Sequence, residues 1–229
     1  MNAMILAAGR GERMRPLTDR TPKPLLRVGG RALIDWHLAA LAAAGVERVV
    51  VNVAWLGSSI AQYLDDPAHR RGLDVRISDE GQAALETGGG IRRALPLLGD
   101  EPFWVVNGDV WSDFDYRVLP NAPRGLAHLV LVDNPDHHPE GDFALAGDRI
   151  QEPPRDGRRL TFAGIGCYAP ELFANSADGV FRLAPLLRQA ATQGGVDGTH
   201  HTGRWCDVGT PARLDALDRL LGGDAVTHE

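Results

Sequence analysis

The segment from residue 9 to residue 31 concentrates positive charge in a chain that is otherwise acidic. It holds six arginines and one lysine against two acidic residues, while the rest of the 229-residue chain carries a net charge of −11. Two glycines in it, Gly9 and Gly11, allow backbone N–H groups to approach an anion closely. Charge runs are commonly just solvated surface, but a short cationic, glycine-containing segment in an acidic body favours a site for a small polyanion.

Lys23 is the single lysine of the chain, and the other 23 basic side chains are arginines. A compact ammonium with rotating donors suits some sites that a planar guanidinium does not. We therefore expect Lys23, which lies between two prolines, to have a role that arginine cannot fill.

Two aspartates stand where carboxylates could hold a metal ion. Asp109 follows the apolar run 103–106, and Asp207 precedes a Gly-Thr-Pro helix start. Each has an ordinary explanation, because Asp is common in turns and at helix caps. Considered together with Arg13 and Lys23, the pair favours Mg²⁺, which takes few protein oxygens and shares its other positions with water and phosphate.

The elements that must position these side chains alternate along the first half of the chain. Apolar runs and helical periodicity predict strands at 4–8, 48–54, 73–78 and 103–107, and helices at 33–44, 58–64 and 91–98. The resulting βαβαβαβ order predicts a parallel sheet with helices on both faces, which binds ligands at the carboxyl ends of its strands.

The second half is less regular. It predicts strands at 126–133 and 160–168, short strands on either side of Gly147-Asp148, and helices at 183–193 and 211–221. We therefore expect one α/β domain over residues 1–221, with a doubly wound, mixed, mostly parallel sheet. Later strands and loops would form a lid or wall over the first half, and residues 222–229 would form a flexible tail.

Composition excludes several classes of protein. A net charge of −6 argues against a nucleic-acid binder, and no window approaches the ~18 apolar residues of a membrane span. Met14 stands where a dinucleotide-binding G-x-G-x-x-G would have its third glycine, and no P-loop pattern is present. We expect a cytoplasmic protein, a monomer, that contacts neither nucleic acid nor membrane.

The segment 6–26 resembles the signature loop of the sugar-1-phosphate nucleotidyltransferases, G-x-G-T/S-R-x-x-P-x-T followed by P-K-P. Four later segments resemble further motifs of that family. Residues 85–90 resemble its nucleotide loop L-G-T-A-G-A, and residues 107–109 resemble its metal-binding G-D. Residues 150–153 resemble its sugar-binding E-K-P, and residues 205–211 resemble its W-x-D-I/V-G-T-P. Glu12 replaces the usual Thr or Ser, and Pro153 replaces the usual Lys. The resemblance implies a glycosyltransferase-A-like nucleotidyltransferase domain.

The same resemblance implies an enzyme that joins a nucleoside triphosphate to a sugar 1-phosphate and releases pyrophosphate. Residues 1–112 would form the nucleotide half and residues 113–221 the sugar half. Arg13 and Lys23 match the catalytic cations, and Asp109 and Asp207 match the ligands of Mg²⁺. The other matched positions would bind the nucleotide, at Ala8, Gly9, Gly11, Thr87, Gly88 and Asn107, and the sugar, at Gly141 and Glu152.

Residues within the motifs that differ from the general family pattern narrow the choice of substrates further. The run 86–90 and the segment 137–143 are similar to the branch of the family that transfers a uridylyl group from UTP to N-acetylmuramic acid 1-phosphate in peptidoglycan recycling. Two alternatives stay open. One is a uridylyl-, thymidylyl- or guanylyltransferase for glucose, N-acetylglucosamine or mannose 1-phosphate, and the other is a non-catalytic nucleotide-sugar-binding regulatory subunit. A non-catalytic relative would be expected to lose a catalytic cation or a metal-binding carboxylate. This chain retains all four matched residues, Arg13, Lys23, Asp109 and Asp207, which favours an enzyme.

Residues that would choose the base and the sugar are less well defined. The backbone of Glu86, with Glu80 or Gln82, is a candidate reader of the base edge. A carboxylate on the sugar would require a cationic partner, and several are available: Arg155, Arg158, Arg204 and the pairs His137-His138 and His200-His201. Adjacent histidines rarely both reach one metal ion, so the interpretation we favour for these pairs is loop surface.

Overall fold

The computed structural model describes residues 1–81, 83–151 and 159–224. The strands are β1 (Asn2–Leu6), β2 (Arg27–Val28), β3 (Arg31–Ala32), β4 (Arg48–Val53), β5 (Asp74–Asp79), β6 (Phe103–Asn107), β7 (Val110–Ser112), β8 (Ala127–Val132), β9 (Phe143–Ala146), β10 (Arg149–Gln151), β11 (Arg159–Tyr168), β12 (Val196–His200) and β13 (Trp205–Asp207). The helices are α1 (Leu33–Ala43), α2 (Gly57–Asp65), α3 (Pro67–Arg70), α4 (Glu86–Leu98), α5 (Leu183–Thr192) and α6 (Pro211–Asp224).

Nine strands form one mixed sheet in the order β5-β4-β1-β6-β11-β8-β12-β10-β9. Strands β5, β4, β1 and β6 are all parallel, which confirms the alternation predicted for the first half. Strand β11 joins this half to the second, running antiparallel to both β6 and β8. Strand β12 is parallel to β8, whereas β9 and β10 pair antiparallel. The antiparallel pairs of the sheet thus all involve strands from the second half of the chain.

Both faces of β1, β4 and β6 are buried, which is why these strands are nearly continuous apolar runs, whereas the edge strand β5 is more polar and partly exposed. Neighbouring residues of β1 divide between two core clusters, with Ile5 on one face and Met4 on the other. Helices α1 and α2 cover the first face with Leu38 and Ile60, and α4 covers the second with Ile91. The doubly wound α/β class predicted from the sequence is confirmed.

Several elements differ from the prediction: the short β2, β3, β7, β13 and α3 were not predicted, β1 begins and ends two residues earlier than expected, and three others differ as follows. The glycines 88–90, expected as a turn before a helix at 91, lie inside α4, because the helix already begins at Glu86. Strand β12 was not predicted, and its sequence VDGTH contains an Asp and a Gly that are poor strand formers. Helix α6 continues to Asp224, into the segment expected to be a tail, since each further helical residue adds a hydrogen bond once the helix has formed.

The helices are modest in length, and α6, with 14 residues, is the longest of those described. Across the described ranges, none is both long enough and apolar enough to cross a bilayer.

Candidate active site

A cleft lies at the carboxyl ends of β1, β4 and β6, the edge at which a doubly wound sheet binds its ligands. Its larger part, a cavity of about 660 Å³, is lined by the loop after β1, by Lys23, by the loop after β6 and by the start of α4. A smaller cavity of about 360 Å³ adjoins it and is lined from the second half of the chain by His137, His138 and Asp207. Arg13, Asn107 and Asp109 line both cavities and therefore mark their junction.

The loop after β1 is held open toward the larger cavity. Gly11 has a left-handed backbone, with φ of 67°, and its carbonyl accepts a hydrogen bond from Thr18 Oγ1 at 2.8 Å. A Cβ on Gly11 would lie 3.0 Å from Thr18 Cγ2, whereas a Cβ on Gly9 would meet nothing within 4 Å. Ala8, Gly9 and Gly11 all line the cavity, so their backbone is accessible to an anion.

A buried polar pair ties this loop to the start of α4. Asn52, at the end of β4, accepts a hydrogen bond from the Ala7 amide at 2.7 Å and donates one to Glu80 Oε1 at 2.6 Å. The other oxygen of Glu80 accepts the Leu85 amide at 2.6 Å. Each carboxylate oxygen of Glu80 therefore accepts a hydrogen bond from the protein, and Glu80 also lines the larger cavity, so its role as a reader of the base edge stays a prediction. Gln82 lies outside the described residues.

The start of α4 forms one wall of the larger cavity through Glu86 and Thr87. Glu86 has φ of 61°, a backbone conformation that costs a non-glycine residue roughly 1–2 kcal/mol and that clusters at functional sites. The Thr87 hydroxyl accepts the Leu183 amide at 3.1 Å. Gly88 is not among the described residues that line the cavity; a Cβ there would lie 2.4 Å from Phe181, so its small size serves helix packing.

Lys23 and Asp109, 86 residues apart, meet in the cleft. Lys23 begins a short 3-10 helix, Lys23–Leu25. Its side chain is 9% exposed, and its Nζ lies 2.6 Å from Asp109 Oδ2. Asp109 keeps 42% of its side chain exposed toward the two cavities. The ammonium is therefore held beside a carboxylate at the junction where the cavities meet.

Asp207 is brought beside Asp109 by the β7–β13 ladder. It pairs with Val110 across that ladder, and the Val208 amide donates to the Asp109 carbonyl at 2.7 Å. Asp207 Oδ2 accepts a hydrogen bond from Arg213 at 3.1 Å. Its buried Oδ1 lies 3.0 Å from His137 Nε2 but receives no hydrogen bond from the described residues.

Two neighbouring carboxylates, one with a buried oxygen that no donor satisfies, are a donor set that fits a divalent cation. The described residues contain no cluster of three or more metal-binding side chains. Asp109 and Asp207 would therefore be the protein ligands, with the other positions left to water and phosphate oxygens.

Arg13 is exposed at the junction and makes no ion pair or hydrogen bond within the described part of the chain. Its guanidinium is available to an anion in either cavity. Asn107 ends β6 at the same junction, and its side-chain amide packs closely on Gly164. A Cβ added to Gly164 would lie only 2.6 Å from Asn107 Nδ2. Gly164 itself has φ of 74°, which favours glycine.

The residues expected to bind the sugar fall into three groups: some line the smaller cavity, some do not, and some lie outside the described residues. His137 and His138 lie in a surface loop, as expected, and they also line the smaller cavity. Gly141 is not among the described lining residues, and its left-handed φ of 61° shapes that loop instead. Glu152, Arg155 and Arg158 lie outside the described residues. Of the remaining cationic candidates, Arg204, His200 and His201 are absent from the described lining of both cavities.

His37, which sequence analysis did not single out, lies beneath the loop that carries Asp109. It belongs to α1 and is 5% exposed. Burial lowers the pKa of His37 to about 4, although Asp109 and the backbone of Val110 and Gly108 favour its charged form. A neutral imidazole therefore supports the loop that carries Asp109 at neutral pH.

Comparison with known proteins agrees with this geometry. Residues 3–115 match the MobA-like NTP transferase domain. The chain is 51% identical over 229 residues to the N-acetylmuramate alpha-1-phosphate uridylyltransferase of Neisseria meningitidis serogroup B, covering 97% of this chain and 99% of the relative. It is 40% identical over 233 residues to the protein of the same name from Caulobacter vibrioides, covering 95% and 96%.

A solved structure shares the fold. The inositol-1-phosphate CTP transferase of T. maritima aligns with a TM-score of 0.79 at 19% identity, covering 99% of this chain and 96% of that one. Identity of this extent with two relatives, over nearly the full length of each, confirms the resemblance carried by the sequence motifs. The chain belongs to the sugar-1-phosphate nucleotidyltransferase family and is an enzyme of that class.

Proposed function

We propose that the chain transfers a uridylyl group from UTP to N-acetylmuramic acid 1-phosphate, forming UDP-N-acetylmuramate and pyrophosphate in peptidoglycan recycling. The names of the relatives at 51% and 40% identity support this choice of substrates. The observation that carries the proposal is the meeting of Lys23 with Asp109, beside Asp207, at the junction of two cavities. One cavity can hold a nucleotide and the other a sugar, so that their phosphates meet at that junction.

The reaction is an in-line displacement. A phosphate oxygen of the sugar 1-phosphate forms a bond to the α-phosphorus of UTP, and the bond from that phosphorus to pyrophosphate breaks. The attacking phosphate is already ionised near neutral pH, so no general base is required. Catalysis then depends on positioning and on compensation of negative charge.

The residues of the cleft divide these tasks. Lys23 contacts the two reacting phosphates, and Arg13 with the amides of Gly9 to Gly11 holds the departing pyrophosphate. Asp109 and Asp207 would hold Mg²⁺, which would neutralise phosphate charge when bound. The residues expected to contact the nucleotide directly are Ala8, Thr87 and Asn107. Residues 1–112 act as the nucleotide half and residues 113–221, with Glu152, as the sugar half.

Substrate identity is tested by initial rates with each of UTP, dTTP, CTP and GTP, combined with N-acetylmuramate 1-phosphate or N-acetylglucosamine 1-phosphate. We expect the fastest turnover with UTP and N-acetylmuramate 1-phosphate. No turnover of that pair, with turnover of another, would reject the substrates proposed while leaving the reaction class intact.

Pyrophosphate release in Mg²⁺, repeated with EDTA, tests both the reaction and the metal. Release that EDTA abolishes and added Mg²⁺ restores is the expected result. A chain that binds UTP but releases no pyrophosphate would be a nucleotide-binding regulator. We place the reaction in the cytoplasm, where the UTP pool lies, and expect light scattering to give the mass of a monomer.

A further inference from the structure

Arg10 is a third cation of the larger cavity, with Arg13 and Lys23, and its side chain packs against an aromatic ring. It lies in the loop after β1, and its Cζ lies 3.8 Å from the centre of the Trp55 ring. This cation–π contact places the guanidinium over the ring without using its N–H groups. The family pattern leaves this position variable, so the resemblance assigns Arg10 no role.

Trp55 is itself anchored. It follows β4, at the same edge of the sheet as the loop after β1, and its indole N–H donates to the Thr18 carbonyl at 3.0 Å. Thr18 is 1% exposed and in turn bonds the Gly11 carbonyl. The aromatic surface beneath Arg10 is thus tied to the loop that carries Arg10.

The N–H groups of Arg10 remain available to a ligand. Oxygens of Asp19 and Glu12 lie 3.8 Å and 4.0 Å from its nitrogens, beyond hydrogen-bond distance, and Arg10 makes no hydrogen bond within the described ranges. Its side chain is 36% exposed and lines the larger cavity. An oriented guanidinium with unused donors suits the planar, bidentate binding of a phosphate.

The position of Arg10 indicates which phosphate it meets. In an in-line displacement, the attacking and departing oxygens lie on opposite sides of the phosphorus. Under the proposed function the attacking sugar phosphate enters from the smaller cavity, whose described lining includes Arg13 but not Arg10. Arg10, on the nucleotide side alone, is placed for the departing group.

We propose that Arg10, held by the face of Trp55, binds the β- and γ-phosphates of the nucleoside triphosphate and then the pyrophosphate product. This inference rests on the proposed function and adds a binding residue to it. Arg10 also offsets the negative charge of Glu12, which stands in the loop where the family pattern has Thr or Ser.

Calorimetric titration of pyrophosphate and of UMP, each with Mg²⁺, tests the proposal on the wild type and on Arg10→Ala, Trp55→Leu and the double variant. Arg20→Ala is the matched control, because it removes the same charge from the same segment at a residue outside the described cavity lining. We expect Arg10→Ala to weaken pyrophosphate about tenfold or more, with UMP affinity within twofold of wild type. Trp55→Leu should weaken pyrophosphate in the same direction.

The double variant should bind pyrophosphate no more weakly than Arg10→Ala, because the ring acts through the guanidinium. Arg10→Lys keeps the positive charge but not the planar stack on the ring, so its affinity for pyrophosphate should lie between those of wild type and Arg10→Ala. It replaces Trp55→Leu as the test of the stack if that variant does not fold. Arg10→Ala within twofold of wild type for pyrophosphate, or an equal loss for UMP, would overturn the inference while leaving the proposed function standing. A wild type that neither binds pyrophosphate nor turns over UTP would overturn both.

Discussion

Lys23 occupies a space that fits a single nitrogen. Its side chain is 9% exposed, and its Nζ sits 2.6 Å from Asp109 Oδ2. A guanidinium is wider and carries its donors in a fixed plane, so it cannot take the same place without moving the aspartate. We expect Lys23→Arg and Lys23→Ala each to lower kcat on the order of 10²-fold or more. Near-normal steady-state turnover in Lys23→Arg would contradict the role inferred from the lone lysine.

Asp207 should control the response to Mg²⁺. Asp207→Asn keeps the shape of the side chain and its contact with Arg213 but removes one of two metal-binding charges. We expect the half-saturating Mg²⁺ concentration to rise about tenfold or more, because an amide binds this ion far less well than a carboxylate. Titration of initial rate against Mg²⁺ measures this. Asp113→Asn, outside the described lining of both cavities, is the control and should match wild type.

The sequence was informative about the site where a motif keeps residues at fixed spacing. Gly9, Gly11, Arg13 and Lys23 all line the larger cavity, as their pattern predicted. The contacts of Asn52 with Glu80, and of His137 with Asp207, join segments distant in the chain and leave no local pattern. The sequence feature that comes closest to indicating such a contact is a single polar residue near the end of an apolar strand, such as Asn52.

At the scale of elements, α4 depends on its glycines for contact with the segment before α5. A Cβ at Gly89 would lie 2.0 Å from the Gly179 carbonyl oxygen, and the Gly89 amide donates to the Phe181 carbonyl at 3.1 Å. Gly89→Ala should therefore lower the free energy of unfolding by about 1–3 kcal/mol through overpacking, although alanine favours helices. Denaturant unfolding monitored by circular dichroism measures the change.

Gly222→Ala is the control for that substitution. Gly222 also lies in a helix, α6, but a Cβ there would meet nothing within 4 Å. Helix propensity then acts alone, and we expect a gain of up to about 1 kcal/mol. A loss in both variants, or in neither, would show that the close approach at Gly89 does not decide the outcome.

Periodicity predicted the long elements well and the short ones poorly. Strand β6 matches its prediction at both ends, and α1 differs by one residue, since each buries a regular apolar pattern. Strands β7 and β13 have three residues each, too few for a pattern to form, although they set the positions of both aspartates. Their pairing depends on tertiary contact, which a single sequence does not display.

At the scale of the whole molecule, the site lies where the two halves of the sheet are joined. Strand β6 belongs to the parallel half and pairs with β11, the first strand of the sheet on the other side. Asn107 ends β6, and Asp109 follows two residues later, so both stand at this join and line both cavities. One continuous sheet thus carries the residues at the junction of the two cavities.

The stability of the whole molecule should depend on the neutral state of His37. An unfolded histidine has a pKa of 6.5, whereas burial lowers that of His37 to about 4. Because the unfolded state binds the proton more tightly, this contribution is fully present above pH 6.5 and is lost as the pH falls toward 4. Partial burial lowers the pKa of His128 in the same direction. We expect the free energy of unfolding to fall by about 2 kcal/mol between pH 7 and pH 5 from His37 alone.

Unfolding in guanidinium chloride at pH 7 and at pH 5 measures this loss of unfolding free energy. Most carboxylates stay ionised between these two pH values. His37→Gln cannot take up the proton, so its unfolding free energy should change much less with pH, whatever its stability at pH 7. His128→Gln is the comparison and should retain most of the wild-type dependence, because His128 is less deeply buried. An equal dependence on pH in wild type and His37→Gln would mean that groups other than this imidazole govern acid unfolding.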